Sequence, residues 1–227
     1  MTKSGTGTVT LSGANTYTGG TTVSAGSLVG TTTGLRNAIT NNANVTFEQS
    51  TNGSYTGVMS GAGNLTKSGT GTVTLSGANT YSGGTTVSAG TLTGTTTSLQ
   101  GAITNNAVTT FNQSSSGTYA GAMSGTGSLV KSGSGTVTLS GANTYSGGTT
   151  ISGGSLMGTT TSLQGHFINN ANLTFNQNFD GTYAGIISGT GNLTKSGDGT
   201  LTLSGVSTFS GGTTVSAGIL QGDTNTL

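Results

Sequence analysis

The chain has 227 residues, of which Gly, Thr, Ser and Asn account for 144, and only nine side chains carry charge, for a net of +1. Leu, Val, Ile and Phe number 42 together, a share at which a highly charged chain stays disordered, yet the self-repulsion of such chains is missing here. Five cations are too few for many phosphates, which argues against nucleic acid. The lack of cysteine removes disulfides and thiolate metal sites, and no apolar run approaches the roughly 18 residues of a membrane helix.

Lys3, Lys67, Lys131 and Lys195 recur at a constant interval of 64 positions, and the same block surrounds each. It reads KSGTGTVTLSGANTYSGGTTVSAGTL from Lys67 and KSGSGTVTLSGANTYSGGTTISGGSL from Lys131, identical at 22 of 26 positions. The remainder of the repeat is looser but in register: TTFNQSSSGTYAGAMSGTGSL from Thr109 matches LTFNQNFDGTYAGIISGTGNL from Leu173. The chain is thus three full repeats, 3–66, 67–130 and 131–194, and a partial fourth, 195–227. Self-similarity at fixed spacing implies a repeat architecture, read here as one segment over 1–227.

Along a repeat, TVTL (72–75) and TTVS (85–88) alternate polar and apolar residues with period two. They are rich in β-branched residues, which predicts strands. Gly-Gly, Ser-Gly and Ala-Gly pairs between the runs predict turns. LRNAITNN from Leu35 is the nearest approach to a helical pattern, and is read as strand or turn. A sandwich or barrel of this length needs about twice the apolar content. A β-solenoid needs less, because each coil's few inward side chains are covered by the coils above and below. Three coils of roughly 21 residues fit one repeat. The expected inward residues are Val73, Leu75, Val87, Leu92, Leu99, Ile103, Val108, Phe111, Met123 and Leu129, with their equivalents 64 positions away.

The stretch ISGTGNLTKSGDGTLTLSGVSTFSGGTTVSAGILQ, 187–221, resembles the passenger-associated transport repeat of bacterial autotransporters, and MSGAGNLTKSGTGTVTLSGANTYSGGTTVSAGTL from Met59 does so equally. The resemblance implies a right-handed parallel β-helix, secreted through an outer membrane and displayed at the cell surface, commonly within an adhesin. It further implies a repeat that assists passenger translocation and folding. Neither a signal peptide nor a translocator barrel stands in the sequence, and position 1 holds Met where other copies hold Leu65, Leu129 and Leu193. The expectation is therefore a stalk segment of a larger outer-membrane-anchored protein, touching a membrane only through a barrel outside this chain.

The chemistry-bearing residues are sparse. Glu48, Asp180, Asp198 and Asp223 are the only acids, and none recurs in the other copies. A paired-carboxylate site of the kind β-helical polysaccharide enzymes use is therefore not expected. His166 stands where the other copies carry Ala38 and Ala102, without a triad or metal partner. Arg36, matched by Gln100 and Gln164, reads as solvated. Gly-Gly followed by Thr-Thr is no calcium nonapeptide, and GTGT lacks the Lys-Ser/Thr of a phosphate loop. The Thr-Xaa-Thr triplets at 8, 72, 136 and 200 come once per repeat, where an ice-binding array needs one on nearly every coil, which leaves ice binding a minor alternative. Tyr17, Tyr81, Tyr145 and Phe209, and Tyr55, Tyr119 and Tyr183, read as corner fillers, with sugar stacking as the alternative. The four lysines read as a surface row that discourages sideways strand pairing. No catalytic, cofactor-binding or metal residue and no cofactor is assigned. The expected partners are cell-surface receptors or glycans of host or bacterium, and self-association. The alternatives to the stalk are a self-assembling free-standing solenoid and a polysaccharide-acting enzyme.

Overall fold

The computed structural model describes residues 1–223, and their regular structure is entirely β, in short strands of two to five residues. Two compact units, Met1–Thr110 and Phe111–Leu227, are each built as a parallel β-solenoid. In the first unit one face stacks Thr2–Lys3, Thr21–Val23, Ile39–Asn41 and Met59–Ser60. A second stacks Thr8–Leu11, Ser27–Gly30, Asn44–Glu48, Asn64–Ser68, Thr85–Val87 and Ile103–Asn105. A third holds Gly53–Tyr55, Thr72–Leu75 and Thr91–Gly94. The second unit repeats this three-faced plan. Its faces are led by Ser128–Ser132 stacked on Thr149–Ile151, by Thr136–Leu139 on Ser155–Gly158, and by Gly181–Tyr183 on Thr200–Leu203.

The pairing register measures the coil. Ser27 pairs with Asn44, a step of 17, and Leu65 with Thr85, a step of 20, and these bracket the other steps. The coil is therefore slightly shorter than expected. A repeat contains about three coils, and more closely three and a third. Lys3 pairs with Val23 and Val23 with Asn41 on the first face, whereas Lys67 lies on the second face beside Phe47. In the second unit Lys131 pairs with Ile151 on one face and Lys195 with Phe175 on another. Each repeat thus hands its features on to the next face.

Two sides per repeat lack a strand, and side chains complete their ladders. Asn79 is buried and accepts the Met59 N–H at 2.7 Å on Oδ1, while its Nδ2 donates to the Ser98 carbonyl at 2.7 Å. Asn143 does the same between Met123 and Ser162. The carboxamide, chemically a peptide group, stands where a strand peptide would stand. LRNAITNN resolves into a turn followed by the strand Ile39–Asn41.

The core follows the expected alternation. Val73, Leu75, Val87, Leu92, Leu99, Ile103, Phe111, Met123 and Leu129 are all buried. Coils at the two ends of the described chain are covered on one side only: Val9 and Val215 are 41% and 49% exposed, whereas Val73 and Val87 are fully covered. Rings fill the corners, with Phe47 against Tyr55 and Phe175 against Tyr183 at centroid distances of 5.1 Å.

Val108 corrects the expected set. It is half-exposed and occupies the outward position that Asn44 and Asn172 hold in the other copies, and the inward residue is Thr109. Phe111 fixes this register, because only odd positions can share its side of the strand. Thr109 replaces Val45 and Leu173, and its buried hydroxyl makes no hydrogen bond. Valine keeps the shape and removes the stranded hydroxyl, so Thr109→Val is expected to stabilise the protein by about 1 kcal/mol. A urea melt would read this as a higher midpoint at unchanged slope, and a lower midpoint would contradict it.

Candidate functional site

The acids do not converge. Glu48, Asp180, Asp198 and Asp223 are all exposed, and among the described residues no three of His, Cys, Asp and Glu gather as a metal site would require. Asp180 serves the backbone instead. Its Oδ1 accepts the Thr200 N–H at 2.7 Å, which holds the carboxyl below the usual range. Asn52 does the same for Thr72 at 3.0 Å. His166 is exposed, and its Nδ1 accepts the Ile186 N–H at 2.9 Å. Arg36 is exposed, as expected, but its Nη1 donates to the Asn15 carbonyl at 2.9 Å.

Five of the six tyrosines are corner fillers rather than platforms, while Tyr17 and Phe209, in the end coils of the described chain, are partly exposed. Tyr55, Tyr81, Tyr119, Tyr145 and Tyr183 are buried, and Tyr81 and Tyr145 share hydroxyl hydrogen bonds with Thr85 and Thr149 at 2.8 and 2.6 Å. The threonine triplets make no flat array either. Thr8 lies on the second face of the first unit and Thr72 on the third.

The lysines overturn their expected role. Lys67, Lys131 and Lys195 are fully buried and Lys3 is 7% exposed, so none guards a strand edge. Strand Asn64–Ser68 points Leu65 and Lys67 inward together, and the Lys67 stem lies in register between Phe47 and Val87. At the corner its ammonium donates to the carbonyls of Ser68, Gly69 and Ala89 at 2.8, 2.7 and 3.0 Å. Lys131 meets Ser132, Gly133 and Gly153 at 2.8, 2.9 and 2.9 Å. Lys195 meets Ser196, Gly197 and Ala217, with Gln177 at 3.4 Å as a fourth. Lys3 reaches the carbonyls of Gly5 and Ala25.

The cage joins two successive turns, KSG below and SAG or SGG above. It explains the glycine of the upper turn. Gly90 has φ of +66°, and a Cβ there would lie 2.4 Å from the Gly71 oxygen and 2.8 Å from Lys67 Nζ. Turn carbonyls at a corner have no strand to pair with, and a three-donor ammonium satisfies them. Burying the charge without a carboxylate is costly, and desolvation lowers the pKa of Lys67 and Lys131.

Lys131→Met keeps the stem but strands three carbonyls, and is expected to destabilise the protein by about 2–4 kcal/mol in a denaturant melt. A neutral result would deny the cage its role. The buried groups also set the response to alkaline pH. Burial raises Tyr81 and pushes Tyr145 up to about 12, so above about pH 10 the unfolded chain loses phenolic protons that the fold retains. Stability then falls as pH rises further. The lowered lysines act oppositely: below about pH 10.5 the unfolded chain binds more protons, so stability rises toward that pH. Denaturant midpoints measured from neutral to strongly alkaline pH are expected to peak near about pH 10 and then drop. A monotonic decline from neutrality would contradict the lysine contribution.

No curated protein and no solved structure matches the chain. The family model of the passenger-associated transport repeat matches residues 1–29, 65–93, 129–157 and 193–221, together just over half of the chain. Each match holds the caged lysine, the strand after it and the glycine turn that closes the cage. A parallel β-solenoid with four such matches fits the stalk of an autotransporter passenger, a structural role carried at the cell surface or outside the cell within a larger protein. The chain belongs to the passenger-associated transport repeat family.

Proposed function

We infer that the chain is a spacer of a surface-displayed adhesin passenger, which holds binding regions away from the cell and whose coil-by-coil folding assists export. The observation that carries this reading is the self-contained coil. Among the described residues each coil bonds only to the one before and the one after, as Leu65 does to Val45 and Thr85. Such a chain can fold progressively as it emerges, each finished coil templating the next. It needs no disulfide, since it has no cysteine, and no proline isomerisation, since it has no proline. The rotation of features between faces favours a spacer over an adhesive face, because successive copies of a feature point to different sides.

Export coupled to folding is open to a direct test. Val73 is fully buried in register between Gly53 and Leu92. Val73→Asp buries an unpaired carboxylate and breaks the stack locally, at a cost of several kcal/mol. With the chain fused ahead of an autotransporter translocator barrel, the variant is expected to show several-fold less protease-accessible protein at the cell surface. Display equal to the parent chain would sink the folding-assisted reading, and equal display of a chain shortened by one whole repeat would agree with a spacer.

A further inference from the structure

The first repeat carries polar groups that its copies lack. Arg36 is the chain's single arginine, matched by Gln100 and Gln164. Both glutamines fold back onto their own turn, with Nε2 donating to Thr97 and Thr160 carbonyls at 2.9 Å. The Arg36 side chain instead reaches the preceding coil, Nη1 donating to the Asn15 carbonyl at 2.9 Å. Its backbone N–H donates to Tyr17 Oη at 2.9 Å, much as that of Gln100 does to Tyr81 Oη at 3.4 Å. The next residue, Asn37, holds φ of +60° where the copies have Gly101 and Gly165. Its Nδ2 donates to the Tyr17 carbonyl at 2.7 Å and so pins the turn.

A cavity of about 200 Å³ opens beside this turn, lined by Arg36, Thr33, Ser54 and Thr56 over Leu35 and Tyr55. The equivalent place in the third repeat has Gln164, Gly165 and Ala184 for Arg36, Asn37 and Thr56. A guanidinium and a threonine hydroxyl absent from that copy thus stand together around one hollow. The guanidinium has one donor tied to protein, and its remaining N–H groups make no hydrogen bond among the described residues. A planar guanidinium edge of this kind matches a carboxylate. The three hydroxyls suit a polyol, with Thr33 Oγ1 also sharing a hydrogen bond with Thr31 Oγ1 at 2.9 Å. The volume lies below the roughly 300 Å³ at which drug-sized sites begin, which limits the occupant to a single ring.

We propose that the first repeat binds a carboxylated sugar unit of the hexuronate type, its carboxylate on Arg36 and its hydroxyls on Thr33, Ser54 and Thr56. The site stands independently of the spacer reading. The test uses the full chain and saturation-transfer NMR titrations with glucuronate, glucose and acetate at neutral pH, on the parent and on Arg36→Gln. Glutamine is the residue the other copies carry, so the fold is retained, and circular dichroism checks it. Glucuronate is expected to bind at least about tenfold more tightly than glucose, and Arg36→Gln to lose at least about tenfold of that affinity, as a charge-assisted contact would. Thr56→Ala is expected to weaken binding a few-fold while keeping the preference for the charged sugar. No transfer to glucuronate, equal binding of glucose, or an unchanged Arg36→Gln variant would each overturn the proposal. Acetate binding as tightly as glucuronate would overturn it as a sugar site.

Discussion

Backbone pairing between successive coils is the constraint on which everything else depends. With so few large apolar side chains, the chain cannot fold around a bulky core, and its parallel ladders supply the order instead. A ladder works only where N–H and C=O groups face a partner one coil away. Straight sides meet that condition unaided, whereas corners and strandless sides do not. The unusual side chains sit at those places: Asn79 and Asn143 replace a strand peptide, and lysine ammonium groups collect turn carbonyls. Polar residues here substitute for backbone at the margins of a slender apolar core.

The second constraint is arithmetic. Eight strands and two strandless sides make one repeat, and three sides make one coil, so a repeat overshoots by one side. Identical blocks therefore face different directions, as Lys3 and Lys67 do within the first unit. Near-identity of sequence in this chain does not build a repeated surface. Its repetition serves the interior, where the cage, the Asn bridge and the ring-filled corner return regardless of direction. Individuality lies in unrepeated residues such as Arg36, Asn37 and His166, which are all exposed.

Much of the fold is legible in the sequence because period-two alternation and a fixed repeat are both strong signals. TVTL at 72–75 is a strand with its boundaries as read, and nine of ten expected inward residues are buried. Val108 escapes the pattern because Val108 and Thr109 are both β-branched, and only the neighbouring copies, Asn44-Val45 and Asn172-Leu173, separate inside from outside. The lysines mislead through their charge. The signal that places them is nonetheless present: in Asn-Leu-Thr-Lys-Ser the lysine stands two residues after an inward leucine, hence on the same side. The partners of the ammonium are not legible, since some are backbone atoms of a turn one coil further on. The pocket at Arg36 is hidden for a similar reason, because its lining comes from two successive coils.

The buried lysine also bears on how a repetitive chain avoids pairing with itself wrongly. Strands that are copies of one another never lie in adjacent coils. On the second face of the first unit, one inward column runs Phe47, Lys67, Val87, Asn105. Each member differs in size and polarity, so every level of the column identifies its place within the repeat. A slip by one residue would turn Leu65 and Lys67 outward and empty the cage of its cation. A slip by a whole repeat would put a strand on the wrong face, one side out of step with its neighbours. A charge that is expensive to bury is thus well suited to specifying register, because a misaligned coil leaves both the ammonium and the turn carbonyls without partners.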